Sequence, residues 1–273
     1  MTYASVLVHV QATEGAERVA CASHVARRFG ATLVGLGSQG LPAILDSDPW
    51  GMASAQLIRD LINQIDQNMN LAEAAFLSGG EEGARVWRTG PSAPTEDLLR
   101  YAATVDLLVV SLTSDRDIIA QRAADAGQVI VSAGRPVLLA PEGKTTFDPD
   151  TVVVAWKNAR EARRATADAM PFLKSAREVI LLVVGDLATR DEDMAIAEDV
   201  AANLRRHGAP ARTLWEGRAD DRAAEVILAC AAHNNAGLIV AGAYGHSRLG
   251  EWVFGGVTRS LLNQTDRFVL FSH

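Results

Sequence analysis

The chain has 273 residues, 48% hydrophobic and 22% charged, with a formal net charge of −7 at pH 7. That length and balance bury a core in one large domain or two ordinary ones and exclude a disordered chain. The acidic excess excludes a general nucleic-acid binder and a binder of anionic membranes, and no apolar run reaches the roughly 18 residues of a membrane span.

In chain order, short β-branched runs alternate with Ala-rich amphipathic stretches, the pattern of βαβ units around a parallel sheet. The chain opens with MTYASVLVHVQAT, which enters a strand at once without a basic leader segment. The runs are SVLVHV, ATLVGL, ARVWRT, VDLLVV and RPVLLA, followed by TVVVAW, REVILLVV, ARTLWE, AGLIVAG and RFVLFS. Solid apolar runs suit strands covered by helices on both faces. EGAERVACASHVARRFG and AREARRATADAMPFLKSA each follow a first strand with helical spacing. Gly30 ends the first helix, and Met170-Pro171 bends or restarts the second. Cys21 and Cys230 lie in helix-like segments with no metal-type partner nearby, so they read as buried residues of a cytoplasmic protein.

The two series overlay. Ser5 falls on Thr151 and Thr32 on Glu178 at an offset of 146, while Val105 falls on Ala236 and Val137 on Val269 at 131 and 132. The first copy therefore holds about fifteen extra residues after its second strand, in and around QGLPAILDSDPWGMAS. The expectation is two tandem Rossmann-like α/β domains, 1–143 with a loop inserted at about 37–55 and 149–273, joined by the polar linker PEGKTTFDPD.

Three motifs bear on chemistry. GLGSQG, Gly35 to Gly40, matches G-x-G-x-x-G, but Pro42 stands where the helix would begin and the strand in front is the second one. SGGEEG, Ser78 to Gly83, precedes a strand and reads as a turn. The six histidines are dispersed and form no metal or nucleophile pattern. The third motif is GAYGHSRLGEWVFGGVTRS, Gly242 to Ser260, at the carboxyl end of the second domain's fourth strand, where open parallel sheets bind ligands. Backbone amides there and at the next helix form an anion site, with Ser247, Arg248 and Thr258 adding hydroxyls and a positive charge. The alternative is that the glycines serve only turn geometry and packing.

The same segment resembles the universal stress protein family, whose ATP-binding members carry G-x2-G-x9-G-[S/T]. Here Gly242 and Gly245 are followed by nine residues, His246 to Phe254, and then Gly255; Gly256 stands at the Ser/Thr position, and Thr258 matches the next small hydroxyl. TVVVAWKNAREARRATADAMPFL and RFVLFSH also resemble tandem members of that family. The resemblance implies five-stranded parallel sheets of order 3-2-1-4-5, with adenosine over the first two strands and phosphates on the glycine loop. ATP or another adenine nucleotide, with or without Mg, would meet Ala155, Trp156, Lys157, Gly242, Gly245, His246, Ser247, Arg248, Gly255, Gly256, Val257 and Thr258. Lys157 departs from the family, which places an acid at the end of the first strand.

The first domain departs further. Ser111 and Ser114 replace the first two glycines, Asp115 and Asp117 follow, and like charge opposes phosphate there. It is expected to carry no nucleotide site. The resulting reading is a stress-response sensor or regulator with one nucleotide site in the second domain. Its alternative is an interaction scaffold that binds no nucleotide or binds another small ligand. An enzyme is the least supported class, since no base, nucleophile or metal cluster stands by the loop. The apolar last strand, RFVLFSH, and its counterpart RPVLLAPEG predict pairing of edges within the chain and a homodimer through edge strands.

Overall fold

The structure is a computed structural model that describes residues 2–12, 15–41, 55–80, 83–111, 121–217, 222–243, 256–264 and 266–273. It divides into two compact units.

The amino-terminal unit comprises Tyr3–Ala133 and Glu142–Phe147. Its elements are β1 (Ser5–His9), α1 (Gly15–Phe29), β2 (Thr32–Gly37), α2 (Ala55–Ser78), β3 (Arg85–Thr89), α3 (Pro94–Ala102), β4 (Leu107–Ser111) and α4 (Ala126–Ser132). The strands run parallel in the order β3-β2-β1-β4. Val6, Leu7, Val8, Leu107 and Leu108 are fully buried, as strands covered on both faces require. Gly30 takes φ 64° and its neighbour Ala31 returns a 2.9 Å hydrogen bond to the Ala26 carbonyl, which closes α1.

The carboxy-terminal unit comprises Gly134–Pro141 and Asp148–His273, with Met1–Thr2. It contains β5 (Val137–Ala140), β6 (Thr151–Trp156), α5 (Arg160–Asp168), α6 (Met170–Ser175), β7 (Glu178–Gly185), a 3-10 turn (Leu187–Thr189), α7 (Arg190–Arg206), β8 (Ala211–Gly217), α8 (Ala223–His233), β9 (Leu238–Gly242), α9 (Gly256–Gln264) and β10 (Phe268–Ser272). The break between α5 and α6 falls at Ala169, two residues before Pro171. The order is β5-β10-β9-β6-β7-β8, parallel except for β5, which pairs antiparallel with β10 through Val269 opposite Leu139 and Phe271 opposite Val137. The edges read from RPVLLA and RFVLFS thus pair with each other. With β9 on one side and β5 on the other, both edges of β10 are paired within the chain.

Register confirms the repeat residue by residue. Ser5 pairs with Thr32 as Thr151 pairs with Glu178, and Val6 with Leu107 as Val152 with Leu238. The net insertion of fifteen residues is an excess of twenty between β2 and β3 less a deficit of five between β3 and β4. From β2 to β3 the partners Leu33 and Arg85 are 52 apart, against 32 for Val179 and Ala211, and α2 is 24 residues long where α7 is 17. Part of the expected loop at 37–55, including Trp50, lies outside the described residues. No helix among the described residues is long and apolar enough to cross a membrane.

Candidate functional site

Connections that leave the first strand of an open parallel sheet toward opposite faces create a crevice beyond its carboxyl end. In the carboxy-terminal unit that crevice is a cavity of about 650 Å³ beyond β6, β7 and β9. Ala155 and Trp156 close β6 on it and Lys157 follows; Gly242 ends β9; Gly256, Val257 and Thr258 open α9. These seven residues from the sequence reading line one space. Gly245, His246, Ser247, Arg248 and Gly255 lie outside the described residues.

The two described glycines differ in what they do. A Cβ on Gly242 would come within 2.6 Å of the Glu161 carbonyl carbon and 2.7 Å of the Ala162 amide nitrogen. Both are backbone atoms, so glycine is needed there to let the first turn of α5 pack on the end of β9. At Gly256 no atom of the described residues lies within 4 Å of the Cβ position. Packing accounts for the first glycine; at the second, a helix start, no described neighbour requires glycine.

The opposite wall was not singled out from sequence. Gly185, Asp186, Thr189 and Asp193, at and beyond the end of β7, line the cavity, and Thr189 Oγ1 donates a 2.8 Å hydrogen bond to Asp193 Oδ2. The signal was available in GDLATRDED, which leaves the strand next to β6 at the same sheet edge. The cavity therefore has Lys157 and the start of α9 on one side and carboxylates on the other. Lys157 is exposed and forms no ion pair among the described residues. Among the described lining residues there is no histidine, cysteine or serine.

The matching corner of the amino-terminal unit is filled by the protein itself. Arg18, buried on α1, donates from Nε to Ser111 Oγ at 2.8 Å, from Nη1 to the His9 carbonyl at 3.3 Å and from Nη2 to Gln11 Oε1 at 3.1 Å. Asp125 caps α4, accepting from the Gln128 amide at 3.0 Å. His9 is buried with Nε2 donating to the Ser38 carbonyl at 3.0 Å. Burial, and next the charge of Arg18, hold its pKa at about 4, against the opposing hydrogen bond to Ser38. Nearby, fully buried Asp97 accepts from Ser38 Oγ at 2.7 Å, the Ser92 amide at 2.8 Å and Arg100 Nη1 at 2.6 Å, a satisfied structural carboxylate. The glycines of GLGSQG are also structural, since a Cβ on Gly35 would meet the Phe76 ring and one on Gly37 the Trp87 ring, both at 2.5 Å.

Comparison of the whole architecture decides the fold. It is similar to a universal stress protein from Archaeoglobus fulgidus DSM 4304, with TM-score 0.64 over 98% of this chain and 95% of that one at 15% identity. The fold is that of a tandem universal stress protein. A second structure assigned to the universal stress proteins, from Pseudomonas aeruginosa UCBPP-PA14, gives TM-score 0.58 at 16% identity over 99% of this chain and 93% of that one. A protein of unknown function from Pseudomonas aeruginosa PAO1 gives 0.57 at 15% identity over 99% and 92%. No family model and no curated protein matches the sequence. In the universal stress protein fold seen here, the cavity occupies the carboxyl ends of the second repeat's strands and its counterpart in the first repeat holds Arg18.

Proposed function

We propose that the carboxy-terminal unit binds an adenine nucleotide of the ATP type, and that the chain acts in the cytoplasm as a stress-response sensor or regulator. One observation carries this reading. A cavity of about 650 Å³, the size of a small-molecule site, lies at the strand ends between Lys157 and the start of α9, bordered by Gly242 and Gly256. Amides at a helix start and a lysine favour phosphate, and Thr258 supplies a hydroxyl beside them. The carboxylates of Asp186 and Asp193 accept hydrogen bonds from ribose hydroxyls or an exocyclic amine on the other wall.

The test is direct: denature purified protein and identify the released small molecules by chromatography and mass spectrometry. Adenine nucleotide near one per chain is the expected result. An empty release, with no thermal shift on adding ATP and magnesium, rejects the reading. Lys157, a cation where the resembled family places an acid, favours a second reading in which the cavity takes another anionic ligand or none and the chain works as a scaffold.

A further inference from the structure

One polar atom beside the cavity has no role in the fold. Trp215 Nε1, on β8, is buried and meets no hydrogen-bond partner among the described residues. Buried indole N–H groups find an acceptor as a rule, so an orphaned donor at the edge of a cavity points to a ligand.

Its position follows from the strands. Val183 pairs with Trp215 and Gly185 with Gly217, which sets these positions on one face of the sheet. The indole lies across the two glycines: a Cβ on Gly217 would stand 3.3 Å from its Cη2, and one on Gly185 3.8 Å from Nε1. Arg190 covers the ring with its guanidinium 5.2 Å from the centroid, which holds the indole in this orientation. Nε1 therefore stands on the side of Gly185, which lines the cavity. Asp193 Oδ2, held by Thr189 Oγ1, stands 3.5 Å from the same Cβ position. A donor and an acceptor thus border the space that a side chain at 185 would occupy. Alanine would fit there at ordinary contact distance, so packing does not account for the glycine. The first repeat supplies an internal control. Gly37, equivalent to Val183, pairs with Thr89, so threonine stands where the second repeat has this indole.

We propose that Trp215 and Asp193 read the base of the nucleotide, Nε1 donating to a ring nitrogen of adenine and the carboxylate accepting from the neighbouring 6-amino group. This rests on the adenine-nucleotide reading of the cavity and deepens it. The adenine edge presents an acceptor beside a donor, the complement of this pair. The Asp193 carboxylate keeps lone pairs to accept with after the Thr189 bond. A ribose diol offers the same chemistry, but depth favours the base. Nε1 is buried and Asp193 half-buried, so the group that meets them gives up its water, which costs a flat aromatic edge less than a diol. Val183, Val184 and Ile227 line the cavity and offer the ring apolar surface. Lys157 and the start of α9 are left for the phosphates.

The probe is purine riboside 5′-triphosphate, which is ATP without its 6-amino group, titrated beside ATP with magnesium into the full chain by calorimetry. ATP is expected to bind about tenfold or more tightly, the worth of a hydrogen bond to a charged group. In Asp193→Ala the two ligands should bind alike, at the weaker value. Trp215→Phe keeps a ring over the glycines and should weaken both ligands about fivefold while leaving their ratio unchanged. Gly185→Ala should weaken both by filling the space between donor and acceptor, at a native melting temperature. Equal binding of the two ligands by the wild type overturns the inference and leaves the cavity reading standing. Discrimination that survives Asp193→Ala, or ATP affinity untouched by Trp215→Phe or Gly185→Ala, overturns it as well. Failure of both ligands to bind rejects the cavity reading and this inference with it. The wild-type comparison needs no variant, so the test holds where a substitution disturbs folding.

Discussion

The two repeats handle one corner of the same fold in opposite ways. At the offset of 146, Gln11 falls on Lys157 and Arg18 on Arg164; at 131, Ser111 falls on Gly242 and Asp125 on Gly256. In the first repeat Arg18 folds over the strand ends onto Ser111 and Gln11, and the Asp125 carboxylate caps the helix behind them. In the second, Lys157 replaces the glutamine, so a buried arginine would meet a second cation. Arg164 turns away and pairs with Asp168 at 2.8 Å, where the first repeat has Ala22. Gly256, the first residue of α9, stands in place of Asp125 and carries no carboxylate, and no described atom lies within 4 Å of its Cβ position. The first repeat supplies its own cation and anion at this corner; among the described residues the second supplies neither in the same places.

The comparison breaks most visibly at Gly242. Gly242→Val forces a side chain into the Glu161–Ala162 backbone, so it costs about 3 kcal/mol as well as ligand binding. Calorimetry beside a binding titration separates the two effects, and a variant of native stability would remove the packing role assigned here.

Acid discriminates the repeats next. His9 occupies the place of Ala155 and titrates at about 4 in the folded chain, against about 6.5 unfolded. The unfolded chain binds the extra proton between those values, so stability present above pH 6.5 is lost as pH falls toward 4, by about 3 kcal/mol. The amino-terminal unit should melt ahead of the carboxy-terminal one in thermal scans at pH 5. His9→Gln should flatten that limb; an unchanged slope would contradict the burial of His9 as its source.

Arg18→Met sharpens the contrast. It leaves Ser111, Gln11 and the His9 carbonyl short of a donor, costing about 2 kcal/mol, and weakens the acid sensitivity only in part, since burial is the larger cause of the lowered His9 pKa and the Arg18 charge the smaller. It should not create nucleotide binding, since Asp125 still holds the helix start; calorimetric titration with ATP checks this. The smallest effect is at exposed Lys157. Lys157→Ala should weaken nucleotide affinity about fivefold and reduce its salt dependence, as for a partly solvated charge. An affinity unchanged across salt concentrations would take Lys157 out of the site.

Much of this was legible in the sequence because strand register and repeat offset are the same quantity. The overlay of Ser5 on Thr151 and Thr32 on Glu178 reappears as matching ladder partners. The cavity residues from Ala155 to Lys157 were implied by the family resemblance, and those from Gly256 to Thr258 by that resemblance together with the glycine-rich strand end and the helix start after it. Side-chain direction was not legible. Arg18 and Arg164 are both helical arginines at equivalent positions, and their different orientations depend on Gln11, Ser111 and Asp168, which are distant in sequence. The acidic wall at Asp186 and Asp193 escaped notice for a related reason, since it joins the cavity only through the β6–β7 pairing.

The antiparallel pair of β5 and β10 also bears on how the chain is made. Leu139 and its partner Val269 are separated by 130 residues, so the ribosome delivers β5 long before the strand that pairs with it. Until the last residues emerge, β5 has a vacant hydrogen-bonding edge of apolar Val137, Leu138 and Leu139, and closing that contact is a slow, long-range step. Ribosomes stalled before residue 268 would hold a chain whose amino-terminal unit is synthesised in full and whose exposed strand invites aggregation.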